Sequence, residues 1–240
     1  MDNEALWERH AGWWQREFTA GADAEYEDLI LPLVERHVRG ARRVLDIGCG
    51  EGQVARRLAG LGVPVVGLDP TAAQVGVARD RDGGPSYARA RAEALPCRSA
   101  AFDAVVLCLA LEHVAAYETA IREVARVLEP GGRFVLLLAH PLLQAPGSAW
   151  IEDESSGEHH WRIGSYLDDD TVVDAVAPGV DLVFIHRPLS RYVHAMGAAG
   201  LLIEDMEEPA PPARLLAEAW PFPEAASIPR LLLLRARRSA

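Results

Sequence analysis

Short, nearly all-apolar runs alternate with amphipathic stretches along much of this 240-residue chain. The runs near 43–48, 63–69, 86–90, 103–109 and 133–139 have strand length and read as strands within a covered sheet. Between them, residues 53–61, 71–80 and 115–127 read as helices. This alternation predicts an α/β fold, doubly wound, with a mainly parallel sheet and helices on both faces. Ahead of the first strand, Trp7, Ala11, Trp14 and Phe18 recur at helical spacing, as do Tyr26, Leu29, Ile30, Leu33 and His37, with Gly40 as a stop. They predict an N-terminal helical cap over residues 1–40, ahead of a domain over 41–240. The cap aromatics either pack on the sheet edge or close over a site, and spacing does not decide which of Trp13, Trp14 and Tyr26 faces inward.

Residues 141–181 break the rhythm with Gly147, Gly157 and Gly164, acidic runs at 152–154 and 168–170, and the aromatics Trp150, Trp161 and Tyr166. An irregular insertion directly after a strand tip predicts a lid or binding loop. Beyond it, Leu182 to Ile185 reads as a short strand and Pro188 to Ala199 as a helix with proline in its first turn. Leu201 to Met206 and Leu231 to Leu234 then predict a final antiparallel pair, with the four leucines inside the sheet.

The chemistry concentrates in Asp46-Ile47-Gly48-Cys49-Gly50-Glu51-Gly52, where glycines alternate between a strand end and a helix start. That helix directs its free N–H groups and positive dipole end at a ligand lying on the loop. The second strand ends in Asp69, an acid placed to accept both hydroxyls of a ribose. The spacing G-x-G-x-G differs from that of a pyrophosphate binder and suits a nucleoside carrying an amino-acid tail.

The segment Val44 to Gly52 resembles motif I of the class I S-adenosylmethionine-dependent methyltransferases, and three more stretches match in order. They are Val65 to Pro70, Ala92 to Pro96 followed by Ala101 to Val106, and the turn Leu128-Glu129-Pro130-Gly131-Gly132. The resemblance implies a Rossmann-like, seven-stranded methyltransferase sheet that binds S-adenosylmethionine and releases S-adenosylhomocysteine. It assigns Gly48, Gly50 and Gly52 to backbone contact with the cofactor, and Asp46 to orienting the loop or meeting the methionyl ammonium. It assigns the backbone of Cys108 and Leu109 to the methionyl amine, and Ala92 or Glu93 to adenine. One departure is Arg91: many relatives carry an aspartate there as adenine acceptor, and an arginine has only donors.

Composition narrows the function. All 24 basic residues are arginine, and the absence of lysine excludes Schiff-base chemistry, a pyridoxal anchor and a Walker A lysine. A formal charge of -11 speaks against nucleic acid as a partner. The first residues lack a signal-peptide pattern and no apolar run spans a bilayer, so the expectation is a cytoplasmic protein, monomer or homodimer, with a small-molecule substrate and no membrane. The three cysteines show no metal-like spacing and His159-His160 has no third ligand, so no metal is predicted.

On the substrate side, His113 and His140 follow the fourth and fifth strands and are candidate general bases, or structural histidines bonded to loop backbone. Arg187 and Tyr192 sit in the polar stretch His186 to His194 and, with Tyr26, are candidate substrate contacts. The expected activity is methyl transfer to an oxygen or nitrogen of a small molecule. The alternatives are an RNA- or tRNA-modifying enzyme and a non-catalytic cofactor-binding protein of the same fold.

Overall fold

The computed structural model describes residues 3–220 and 222–240; residues 1, 2 and 221 lie outside the described part. Helix α1 (Asn3–Glu17), a π-helical turn (Tyr26–Ile30) and α2 (Leu31–Val38) precede β1 (Val44–Ile47). The chain then alternates α3 (Gln53–Ala59), β2 (Val65–Asp69), α4 (Ala72–Arg81), β3 (Ser86–Arg89), β4 (Phe102–Cys108), α5 (Tyr117–Val127) and β5 (Leu128–Ala139). A short α6 (Pro141–Gln144) leads to the hairpins β6 (Ala149–Glu152) with β7 (His159–Arg162) and β8 (Asp170–Ala177) with β9 (Val180–His186). The chain closes with α7 (Leu189–Ala198), β10 (Leu201–Glu207), α8 (Ala213–Ala219) and β11 (Leu231–Arg238).

The seven-stranded sheet has the order β3-β2-β1-β4-β5-β11-β10. Only β11 runs against the rest, antiparallel to both β5 and β10. Its four leucines, 231–234, are buried because the strand is paired on both sides and covered on both faces. Alternate residues of the central strands feed two cores. Leu45, Val105, Leu136 and Leu232 pack with α5 and α7 on one face; Val44, Val106, Leu137 and Leu233 pack with α2 and α3 on the other. Helix α5 presents Ala120, Ile121, Val124 and Val127 to the first core, the stripe its spacing requires.

Residues 141–181 are not irregular: with the segment up to His186 they form the two hairpins, whose connections carry Gly157 and Gly179 at positive φ. Trp150 packs edge-on against Trp161 and Phe222, fixing the first hairpin to the segment before β11. No described helix is long and apolar enough to cross a membrane. The sheet order reverses between β1 and β4, and a crevice opens there beyond the carboxyl ends of the strands.

Candidate functional site

That crevice is a cavity of about 350 Å³. Its floor is the loop after β1, where Gly48 and Cys49 donate their N–H groups to the Leu68 carbonyl at 2.7 and 3.1 Å. The loop needs glycine at Gly48: φ is +70°, and a Cβ would lie 2.5 Å from that of Ala110. Asp69, at the end of β2, accepts from the Gly50 N–H at 2.9 Å and from the Thr71 N–H at 2.8 Å. One carboxylate thus locks the glycine loop to the strand tip while its remaining lone pairs stay available. Burial raises its pKa, and the Thr71 N–H and hydroxyl, with the Gly50 N–H, oppose that shift.

Asp46 lies deeper, 1 % exposed, and its Oδ2 has no partner among the described residues. Burial, followed by the charge of Asp69, pushes its pKa up to about 7. Glu51, also 1 % exposed, pairs with Arg56 and Arg81 in the same wall. In sequence Glu51 is marked only as an acid between two glycines, five residues before an arginine. Ala92 and Glu93 after β3, with Cys108 at the end of β4 and Leu109 after it, complete the wall. Leu109 adopts φ +50°, a left-handed conformation rare for a branched residue, and its N–H donates to Leu137 O at 2.8 Å. Gly52 does not line the cavity among the described residues. Its glycine is required by φ +87° and by the Tyr87 ring, 2.7 Å from where a Cβ would sit.

The roof is α1. Glu8 accepts from the N–H groups of Ala72 and Ala73 at 2.7 and 3.0 Å, capping α4 from another helix. Gln15 donates to Gln74 at 2.9 Å, Glu4 pairs with Arg91 at 2.6 Å, and Asn3 donates to the His113 carbonyl at 2.8 Å. No residue of 141–181 lines the cavity; the roof expected there comes from the cap instead. The covering aromatics are Trp7, Trp14 and Tyr26, whereas Trp13 and Phe18 pack behind them. Tyr26 sits on the π-helical turn, buried, with burial raising its pKa well above that of a free phenol.

The two candidate bases part company. His113 lines the cavity, its ring between Trp7 at 4.9 Å and Phe184 at 4.7 Å. Its Nδ1 lies 2.8 Å from the Val183 carbonyl, an acceptor, so Nδ1 carries the proton and Nε2 the lone pair. Burial lowers its pKa to about 4. His140 is outside the cavity: Nε2 meets Glu208 at 2.8 Å, and Nδ1 accepts from Leu142 N–H at 3.1 Å and caps α6. With both nitrogens engaged, His140 is structural.

Arg187 and Tyr192, expected as substrate contacts, also lie outside the cavity lining. Arg187 is 5 % exposed, donates to the carbonyls of Val114 and Ala115 at 2.7 and 3.2 Å, and stacks 4.3 Å over the Tyr117 ring. It precedes α7 and braces the loop after β4. Tyr192 is buried in the first core, edge-on to Tyr117 at 5.9 Å. Neighbouring Glu112 has its pKa pushed up to about 7, by burial above all. Away from the cavity, His37, Asp205 and Glu207 come close enough to hold an ion, but Arg36 and Arg235 already pair with the two carboxylates. His160 pairs with Glu158 at 3.7 Å and His159 stacks on Phe222 at 4.2 Å, a placement that serves the hairpin.

Residues 45–136 match the family model described as a methyltransferase domain. The chain is 38% identical over 116 residues to a ubiquinone biosynthesis O-methyltransferase of Chelativorans sp., covering 47% of this chain and 46% of that protein. It is 39% identical over 109 residues to a ubiquinone/menaquinone biosynthesis C-methyltransferase of Pseudomonas paraeruginosa, covering 42% and 43%. It therefore spans less than half the length of these curated relatives. The crystal structure of an S-adenosylmethionine-dependent methyltransferase from Mesorhizobium loti is similar with a TM-score of 0.76 at 32% identity, covering 90% of this chain and 98% of that one.

Proposed function

The chain belongs to the S-adenosylmethionine-dependent methyltransferases, and from that premise we propose that it methylates an oxygen or nitrogen of a small molecule. The observation that carries the reading is the pair Asp46 and Asp69 in one cavity floor: a buried carboxyl whose Oδ2 has no partner among the described residues, beside one that already orders the glycine loop. Such a floor fits a ligand with ribose hydroxyls and a positively charged tail. Asp69 would take the ribose, Asp46 the ammonium, and the Gly48–Gly50 backbone the methionyl part. The carbonyls of Cys108 and Leu109 would meet the amine, and Ala92 and Glu93 the adenine end. The cofactor brings a methyl group on a sulfonium, with its own leaving group, so the protein's share is positioning and exclusion of water.

On the acceptor side, Trp14, Tyr26 and His113 supply a largely apolar wall that carries a nitrogen acceptor, the Nε2 of His113. An imidazole with a pKa near 4 is a poor proton sink at neutral pH but a competent acceptor. His113 would therefore orient an acceptor O–H or N–H whose proton leaves for solvent after transfer. Calorimetry with S-adenosylmethionine and S-adenosylhomocysteine tests the cofactor half, and failure of both to bind would overturn it. Methyl-labelled cofactor, presented with phenols, hydroxylated quinones and heteroaromatic amines, tests the acceptor half by product mass. Labelling confined to carbon, or to RNA, would refute the O- or N-methylation reading.

A further inference from the structure

The loop after β3 has no side-chain acceptor at Arg91, whose guanidinium carries donors only and is held by Glu4 at 2.6 Å. That ion pair places the first turn of α1 over the end of the cavity formed by Pro70, Arg91 and Ala92. Asn3 lies on that turn. Its Nδ2 donates to the His113 carbonyl at 2.8 Å, which fixes the orientation of the amide. Its Oδ1 is buried and has no partner among the described residues. One turn further along the same face is Trp7, whose Nε1 is also buried and without a partner. Both residues line the cavity. Buried polar atoms without partners are costly, and two on one helix face beside one cavity point to a ligand that completes them.

The chemistry required is specific: a donor opposite Oδ1 and an acceptor opposite the indole N–H. The Watson–Crick edge of adenine offers that pair, its exocyclic amine and its ring N1. We propose that Asn3 and Trp7 read this edge, Asn3 Oδ1 accepting from the exocyclic amine and Trp7 Nε1 donating to N1. The inference rests on the cofactor assignment above. It adds the N-terminal cap to the loop after β3 in recognising adenine, so cofactor binding and seating of α1 become one event.

The test is calorimetric binding of S-adenosylhomocysteine against S-inosylhomocysteine, in which the edge carries a carbonyl and a ring N–H and so presents the opposite polarity. The wild-type protein should prefer the adenosyl ligand by about 10²-fold or more. In Asn3→Ala and in Trp7→Phe the preference should fall at least tenfold, through loss of adenosyl affinity alone. Asn3→Asp, which keeps the acceptor but not the donor to His113, should restore most of the preference. Thermal unfolding of each variant identifies any that fails to fold, and Trp7→Phe, which keeps the ring, carries the test if Asn3→Ala does. Equal weakening of both ligands in the variants would make Asn3 and Trp7 merely structural and overturn the proposal, as would equal binding of both ligands by the wild type. Binding of neither ligand by the wild type would instead remove the cofactor assignment, and this proposal with it.

Discussion

The imidazole of His113 and the carbonyl of Val183 lie 2.8 Å apart, joining the loop after β4 to the hairpin strand β9. Because a carbonyl only accepts, this contact fixes the tautomer and leaves Nε2 as the unprotonated nitrogen in the cavity wall. A sequence can nominate a histidine at a strand end, but the protonation state follows from a partner seventy residues away.

The first prediction concerns that nitrogen. His113→Ala should bind cofactor with little change and lose about 10–10²-fold in turnover, an orienting effect smaller than that of a strong general base. The parent rate should show no acid limb near pH 6.5 from this residue, because burial holds its pKa near 4. A limb at 6.5 that vanishes in the variant would restore His113 as the base.

Asp46 predicts a pH-dependent cofactor affinity. Its carboxyl titrates near 7 in the unliganded protein, and a cationic ligand favours the ionised form. S-adenosylmethionine should bind about tenfold more weakly at pH 6 than at pH 8, and Asp46→Asn should flatten that dependence. Proton release measured by calorimetry in two buffers of different ionisation enthalpy gives an independent reading; no release at pH 6 would contradict the assignment.

The same groups shape stability against pH. The folded pKa values of Asp46 and Glu112 are raised, so their contribution is whole below the unfolded value of about 4 and is lost as pH rises through about 7. For His113 the folded value is depressed, so its contribution is whole above about 6.5 and is lost as pH falls toward 4. Asp46→Asn should therefore flatten the decline in denaturant midpoint between about pH 4 and 7, and His113→Gln the decline on the acid side. Parallel curves for parent and variants would show these groups titrating alike in both states.

Asp69→Ala should weaken cofactor binding by about 2–3 kcal/mol, as for a charge-assisted pair. It should also lower the stability of the ligand-free protein by about 1–3 kcal/mol, since the N–H groups of Gly50 and Thr71 lose their acceptor. A variant with unchanged affinity would remove the ribose assignment.

Arg187→Met should cost about 1–3 kcal/mol of stability by removing the charged donors to the part-buried carbonyls of Val114 and Ala115 and the stack on Tyr117. It should disturb cofactor and acceptor binding alike, because it braces the loop beneath both. A selective rise in acceptor KM alone would return Arg187 to the substrate site.

The alternation of apolar runs and helical spacing was enough to predict a doubly wound sheet and the buried Leu231–Leu234 strand, because strand and helix periods are local properties of the chain. Glycine spacing after β1 and the acid ending β2 were legible for a similar reason: a tight turn off a strand leaves its signature within a few residues. The hairpins in 141–186 were less legible, since strands such as Ala149–Glu152 and Asp170–Ala177 are largely exposed and carry no regular polar–apolar alternation. What the tertiary structure alone decided was which polar groups meet. His113 and His140 look equivalent in sequence, yet Val183 and Phe184 frame one in the cavity wall while Glu208 and Leu142 engage the other. Arg187 and Tyr192 carry the chemistry of substrate contacts, but backbone carbonyls and aromatic packing hold them within the fold. Even the roof of the cavity came from α1, whose Glu4, Glu8 and Gln15 find partners on distant elements. Burial and hydrogen-bond partners are set by contacts between residues far apart in the chain, and no local period encodes them.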